Sequence, residues 1–120
     1  MEPLNVVLYH YDPRTAQALA AGLSQHSLSV HLAHDREDLC PTLARRRPEV
    51  LVLNMETSPD DEVENLHREF PGLSIVCTHR LADDEMWAEA LSRGASDICA
   101  PRQDEVVRSV MRQRVHLSAA

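Results

Sequence analysis

The chain contains no lysine. All 12 of its basic side chains are arginine, set against 19 acidic ones, for a net charge of −7 at pH 7. So acidic a balance lacks the electropositive surface that nucleic-acid binding requires, and no direct nucleic-acid partner is expected. No apolar run approaches the roughly 20 residues of a membrane span, and no secretory leader is recognisable. Cysteine is sparse: Cys40, Cys77 and Cys99 sit in apolar settings without CxxC or Cys/His metal spacing. An odd number of thiols in a small chain points to the cytoplasm and to reduced, buried core cysteines. Cys77 and Cys99 fall on neighbouring predicted strands and are expected near each other. Repeats, linkers and low-complexity tracts are missing too, so residues 1–120 read as one domain, with an ordered core over about 4–115.

What is present is a regular alternation of short apolar runs with amphipathic stretches, repeated five times. That pattern predicts an α/β fold, a doubly wound parallel sheet. The predicted strands are residues 5–9, 29–33, 49–53, 73–78 and 96–99, with the second, the weakest, at a sheet edge. Asp12-Pro13 is an N-cap followed by proline at the first helical position. It opens a helix to about Gln25 with Ala16, Leu19, Gly22 and Leu23 on one face. Asp35 caps a second helix to about Arg46 that carries Leu39, Leu43 and Ala44 inward, with a kink or late start at Pro41. Ser58-Pro59-Asp60-Asp61 caps a third helix to Phe70, burying Val63, Leu66 and Phe70. A fourth runs from Asp83 to Arg93 and stops at Gly94. The last spans Gln103 to about Val115, after which Leu117 to Ala120 should fray. The triplet Arg45-Arg46-Arg47 reads either as a helix end complementing the dipole or as a phosphate-binding patch.

Several segments go beyond the fold. Pro48-Glu49-Val50-Leu51-Val52-Leu53 ends at Asn54, Ile75-Val76-Cys77-Thr78 ends on a hydroxyl, and Gly94-Ala95 precedes a short last strand with Pro101 beyond it. Together, over roughly Val6 to Met111, they resemble the bacterial response-regulator receiver (CheY-like) domains. The resemblance implies a flavodoxin-like five-stranded parallel sheet of order 2-1-3-4-5. In that family Pro101's counterpart usually follows a cis peptide bond.

The resemblance also places the family's phosphorylation pocket, and here the chain departs from it. The acidic pair that holds Mg²⁺ falls at His10 and Tyr11, and the phosphoacceptor aspartate at Asn54. The phosphate-contacting hydroxyl is kept at Thr78. The lysine position falls at Ala100, to within one residue, because the segment from Gly94 to Pro101 is one residue shorter than usual. The switch aromatic falls at Ile98, which has no polar tip to swing outward. Mg²⁺ needs hard oxygen ligands, an amide is no nucleophile for an acyl phosphate, and no ammonium remains to offset charge. No bound cofactor is therefore expected, and Mg²⁺ binding is expected to be lost. Glu56 either pairs with His10, raising the histidine's pKa, or is solvated. His79 either obstructs the pocket mouth or points to solvent.

The function expected is a degenerate receiver, not an enzyme, that acts as a phosphorylation-independent interaction module in a two-component-like pathway. Its partner, a protein or a second copy, would use the face of the fourth helix, fifth strand and fifth helix, including Met86, Trp87, Arg93, Arg108 and Arg112. Trp87 itself reads either as core, from its helical spacing with Ala90 and Leu91, or as an interface anchor. The alternative is a ligand- or metal-sensing domain built on His10, Tyr11 and Glu56. For a phosphotransfer role, His67 is the helical histidine.

Overall fold

The computed structural model describes residues 3–26, 28–59 and 61–119. Strands and helices alternate in chain order: β1 (Leu4–Tyr9), α1 (Pro13–Ser24), β2 (Leu28–Leu32), α2 (Leu39–Arg46), β3 (Val50–Asn54), α3 (Glu62–Glu69), β4 (Ser74–Thr78), α4 (Asp84–Ser92), β5 (Asp97–Cys99) and α5 (Gln103–Ala119). The sheet is parallel throughout and ordered β2-β1-β3-β4-β5. This is the doubly wound, flavodoxin-like arrangement that the alternation predicts, with β2 at an edge.

Strand side chains alternate between the two faces, and here both faces are buried. Val7, Leu51, Leu53, Ile75 and Ile98 pack with Leu39 and Leu43 of α2, Val63 and Leu66 of α3 and Ala90 of α4. Val6, Leu8, Val50, Val52 and Val76 face the other way, onto Leu19 and Leu23 of α1 and Val106 and Val110 of α5. Each of the larger side chains contributes about 1.5–3 kcal/mol by leaving water. Burial on both faces explains why β3 is a continuous apolar run.

The helix starts follow their caps where an aspartate is free to bend back. Asp12 accepts from the Arg14 N–H and the Thr15 hydroxyl, and Asp83 accepts from the Met86 N–H. The α2 start is late, as Pro41 implied: Asp35 caps only the turn before it, accepting from the Asp38 N–H at 2.8 Å, and helix begins at Leu39. Ala44 is exposed and Thr42 is buried instead. In so short a helix the 100° step places Thr42 beside Leu39 and Leu43 and turns Ala44 outward. Gly94 has φ +107°, and a Cβ there would stand 2.7 Å from Cγ of the exposed His67, so only glycine fits at this stop.

Other expectations need correction. Cys40 is exposed, since it lies beside the inward Leu39 on α2. Cys77 and Cys99 lie on neighbouring strands, one register step apart, but point to opposite faces of the sheet, and burial pushes each thiol up to about 12. Phe70 ends outside α3 and is half-buried. The last helix runs past Val115 to Ala119, because Leu117 packs against the α1–α5 side of the core. Pro101 follows a trans peptide bond. Trp87 is 48% exposed, so it is not a core residue: Ala90 fills the inward position of α4. Among the described residues no helix is long and apolar enough to cross a membrane.

Candidate functional site

The parallel strands bring His10, Asn54 and Thr78 to the carboxyl end of the sheet, where open α/β sheets place their functional groups. Asn54 and Thr78 are register partners across β3 and β4, and the Met55 N–H donates to the Thr78 carbonyl at 3.0 Å. Asn54 is fully buried and Thr78 nearly so. The Asn54 Nδ2 group donates to Thr78 Oγ1 at 3.3 Å and to Glu56 Oε2 at 3.2 Å, while Oδ1 accepts from the Glu56 N–H at 3.2 Å. A carboxylate at this position would have no hydrogen to donate. The amide is the donor that joins two acceptors.

Glu56 does not pair with His10, nor is it solvated. Its Oε1 accepts from Arg80 Nε at 2.6 Å and from the Arg80 N–H at 3.1 Å, with the Glu56 side chain 8% exposed. Burial works against its charge, but the Arg80 bonds and the Asn54 amide win, and its pKa lies below the usual carboxylate range. Arg80 lies in the β4–α4 loop, two residues beyond Thr78.

His10 is buried and stacks on Tyr11, with ring centroids 4.6 Å apart. Its Nδ1 accepts from the Asp12 N–H at 3.0 Å, so Nε2 carries the proton of the neutral ring. Burial lowers its pKa despite the pull of Asp12 and Glu56, the opposite of the rise expected from an ion pair. Tyr11 is 46% exposed. His79 is half-buried: its Nδ1 accepts from the Leu81 N–H at 2.9 Å, and it lines a cleft of about 180 Å³ with Glu56, Met86 and Arg93. The imidazole therefore faces the cleft, not open solvent. Ala100 lies just beyond β5, and Ile98 is buried against Ala90 and Ala95.

The sequence reading overlooked two arginines. Arg80 is one; the other is Arg36, in the loop before α2. Arg36 bonds Glu62 at 2.7 Å and stands 5.2 Å over the Tyr9 ring, and the Ser58 hydroxyl donates to Glu62 and to the Asn54 carbonyl at 2.9 Å each. Asn54 is thus the junction of two networks. A lysine-free chain with an arginine two residues past Thr78 offered a signal for Arg80. Nothing local pointed to Arg36.

The expected partner residues line two clefts. Met86 and Arg93, the latter bonded to Glu89 at 2.6 Å, line the cleft beside His79, while Arg108 and Arg112 line a separate cleft between β5 and α5. There Asp97 accepts from the Ser109 hydroxyl and from Arg112, both at 2.6 Å, tying α5 to β5. Among the described residues no three His, Cys, Asp or Glu side chains gather into a metal site.

This strand order is the flavodoxin-like one, and it is shared by solved response-regulator receiver domains. A response regulator from Thermotoga maritima superposes with TM-score 0.82 at 16% identity, over 92% of this chain and 97% of that one. An orphan response regulator of H. pylori matches with TM-score 0.79 at 15% identity, over 97% and 98%. An atypical orphan response regulator, whose structure revealed a phosphorylation-independent regulatory mechanism, matches with TM-score 0.79 at 13% identity, over 92% and 94%. By sequence alone the chain matches no protein-family model and no curated protein. The structural likeness establishes the receiver fold.

Proposed function

We propose that the chain is a degenerate response-regulator receiver that signals without an aspartyl phosphate, as a non-enzymatic protein-interaction module. The observation that carries this reading is the commitment of the Thr78 hydroxyl to the Asn54 amide. In the receiver family that hydroxyl contacts the incoming phosphoryl group. Here its oxygen accepts from the residue that stands at the acceptor position, a buried amide that is no nucleophile for an acyl phosphate. The Glu56–Arg80 pair then takes the place of the metal and lysine as the internal balance of charge. The likeness to an atypical orphan regulator with a phosphorylation-independent mechanism supports the same view. Partner contact through α4, β5 and α5 would use the exposed Trp87 together with Arg108 and Arg112.

The test is titration with Mg²⁺ and beryllofluoride, followed by backbone amide shifts. No saturable change at Asn54, Thr78 or Arg80 is expected. Saturable shifts there, or a phosphoryl adduct seen by mass spectrometry after a small phosphodonor, would overturn the proposal. Asn54→Asp alone is expected to remain unphosphorylated, since His10 and Tyr11 supply no carboxylate for the metal.

A further inference from the structure

The opposite end of the sheet holds a second polar cleft. It has a volume of about 360 Å³ and lies between the amino-terminal halves of β1 and β2 and the end of α2. Its polar lining is Asn5, Ser29, His31, Arg45 and Arg46, with no carboxylate among the lining residues. Alternation along the strands puts Asn5, Ser29 and His31 on the same face as Val7, which packs under α2. None of these five side chains makes a hydrogen bond or ion pair to another described residue. The nearest carboxylates lie to the side: Glu49, whose Oε2 accepts from the Asn5 N–H at 2.7 Å, and Asp38, which accepts from the His34 N–H at 3.3 Å.

That arrangement is unusual in this molecule. Most arginines elsewhere are tied down: Arg36, Arg80, Arg93, Arg102, Arg108 and Arg112 each hold a carboxylate. A chain of net charge −7 has acids to spare, yet Arg45 and Arg46 hold no carboxylate in an ion pair, Asp38 acting on Arg45 only at longer range. Arg45 and Arg46 do complement the dipole at the end of α2. The dipole does not explain why His31, Ser29 and Asn5 line the same cleft. Arg45 and Arg46 also bear on His31, which burial and these two charges keep from taking up a proton.

We infer that the β1–β2–α2 cleft is a binding site for a small phosphorylated ligand, its phosphate held by Arg45 and Arg46 with donors from Ser29, Asn5 and His31. Guanidinium forks match phosphate oxygens in bidentate geometry. The volume is at the lower end of small-molecule sites and large enough for a phosphate monoester. The inference does not depend on how the opposite end of the sheet signals.

The experiment is an amide-shift titration of the whole chain with inorganic phosphate, AMP and glycerol 3-phosphate, with polyglutamate as a further arm. Saturable shifts at Asn5, Ser29, His31, Arg45 and Arg46 are expected. Tighter binding of either ester would identify an organophosphate ligand, and equal binding of inorganic phosphate a free-phosphate site; both outcomes support the cleft. Bound anion should also raise the His31 pKa against the opposing Arg45 and Arg46, with Asp38 the one nearby acid already favouring the proton. The double variant Arg45→Ala/Arg46→Ala, both residues exposed, should weaken binding at least about tenfold, or roughly 1.4 kcal/mol. His31→Gln should weaken it less and serves as the second variant. Absence of saturable shifts with all three phosphates, unchanged affinity in the double variant, shifts centred on Arg102 and Arg108, or a preference for polyglutamate would each overturn the inference.

Discussion

The two ends of one sheet treat charge in opposite ways. At the carboxyl end, Asn54, Thr78 and the Glu56 carboxylate form a buried network that the exposed Arg80 covers from the surface. At the amino end, Arg45 and Arg46 bear on His31 and form no ion pair with a carboxylate, Asp38 acting on Arg45 and His31 only at longer range. The same strands carry both ends, so the core does not set the difference; the loops do. Two loops fold over the carboxyl end and bring Arg80 and Arg36 onto carboxylates. The short α2 simply stops above the other end. A buried network favours one conformation and needs nothing from outside, whereas cations without an ion-pair partner favour an anion from solution.

The sharpest way to break this contrast is Asn54→Asp. It removes the donor shared by Glu56 and Thr78 and sets a second carboxylate beside Glu56 in a site closed to water. Unit charges about 4 Å apart repel by roughly 4 kcal/mol at an effective dielectric near 20. Partial protonation of the new acid relieves some of that, so a loss of about 2–4 kcal/mol in denaturant unfolding is expected. An unchanged midpoint would mean the amide is not the keystone of the network.

Glu56→Gln is expected to cost less, on the order of 1 kcal/mol, by weakening a charge-assisted bond. It also carries a pH signature. Because the Glu56 pKa is lowered in the fold, its contribution is present at neutral pH and is lost as pH falls through the folded value, below the ordinary 4.5. The variant should therefore lose less stability than the parent on acidification in that range.

The histidines at the two ends provide a finer comparison. Burial leads the lowering of both His10 and His31, from an ordinary 6.5. The unfolded chain therefore takes up protons first, and stability should fall as pH drops from 6.5 toward the folded values. His10→Gln and His31→Gln should each flatten that slope, measured by thermal melts across pH. A histidine NMR titration in which either pKa rises above 6.5 in the free protein would contradict the structure. The smallest effect is expected for Arg45→Ala/Arg46→Ala in stability alone, within about 0.5 kcal/mol and of either sign, because exposed side chains without internal bonds hold little of the fold.

Much of this was legible in the residues. The predicted strands ending at Tyr9, Ala33, Leu53, Thr78 and Cys99, with Pro and Gly between them, report strand number, order of elements and the helix stops. Position after a strand was enough to bring Asn54, Thr78 and His10 to one end, since parallel strands align their termini. The identity of Asn54 as an amide followed directly. What the pattern missed lay in loops: Glu56 was given to His10 or to water, Trp87 was drawn toward the core by its spacing, and Ala44 was turned inward.

The amino-acid sequence by itself determined the layered α/β architecture and the neutral residue at the end of β3, because hydrophobic periodicity is a local property and acts residue by residue. Only the tertiary structure decided that Arg80 would claim Glu56, that Cys77 and Cys99 would face away from each other, and that Arg45, Arg46 and His31 would share one cleft. Those outcomes depend on how loops and strand faces meet across distances of a few ångströms. Hydrogen bonds and ion pairs form or fail at that scale, and one-dimensional spacing does not record it.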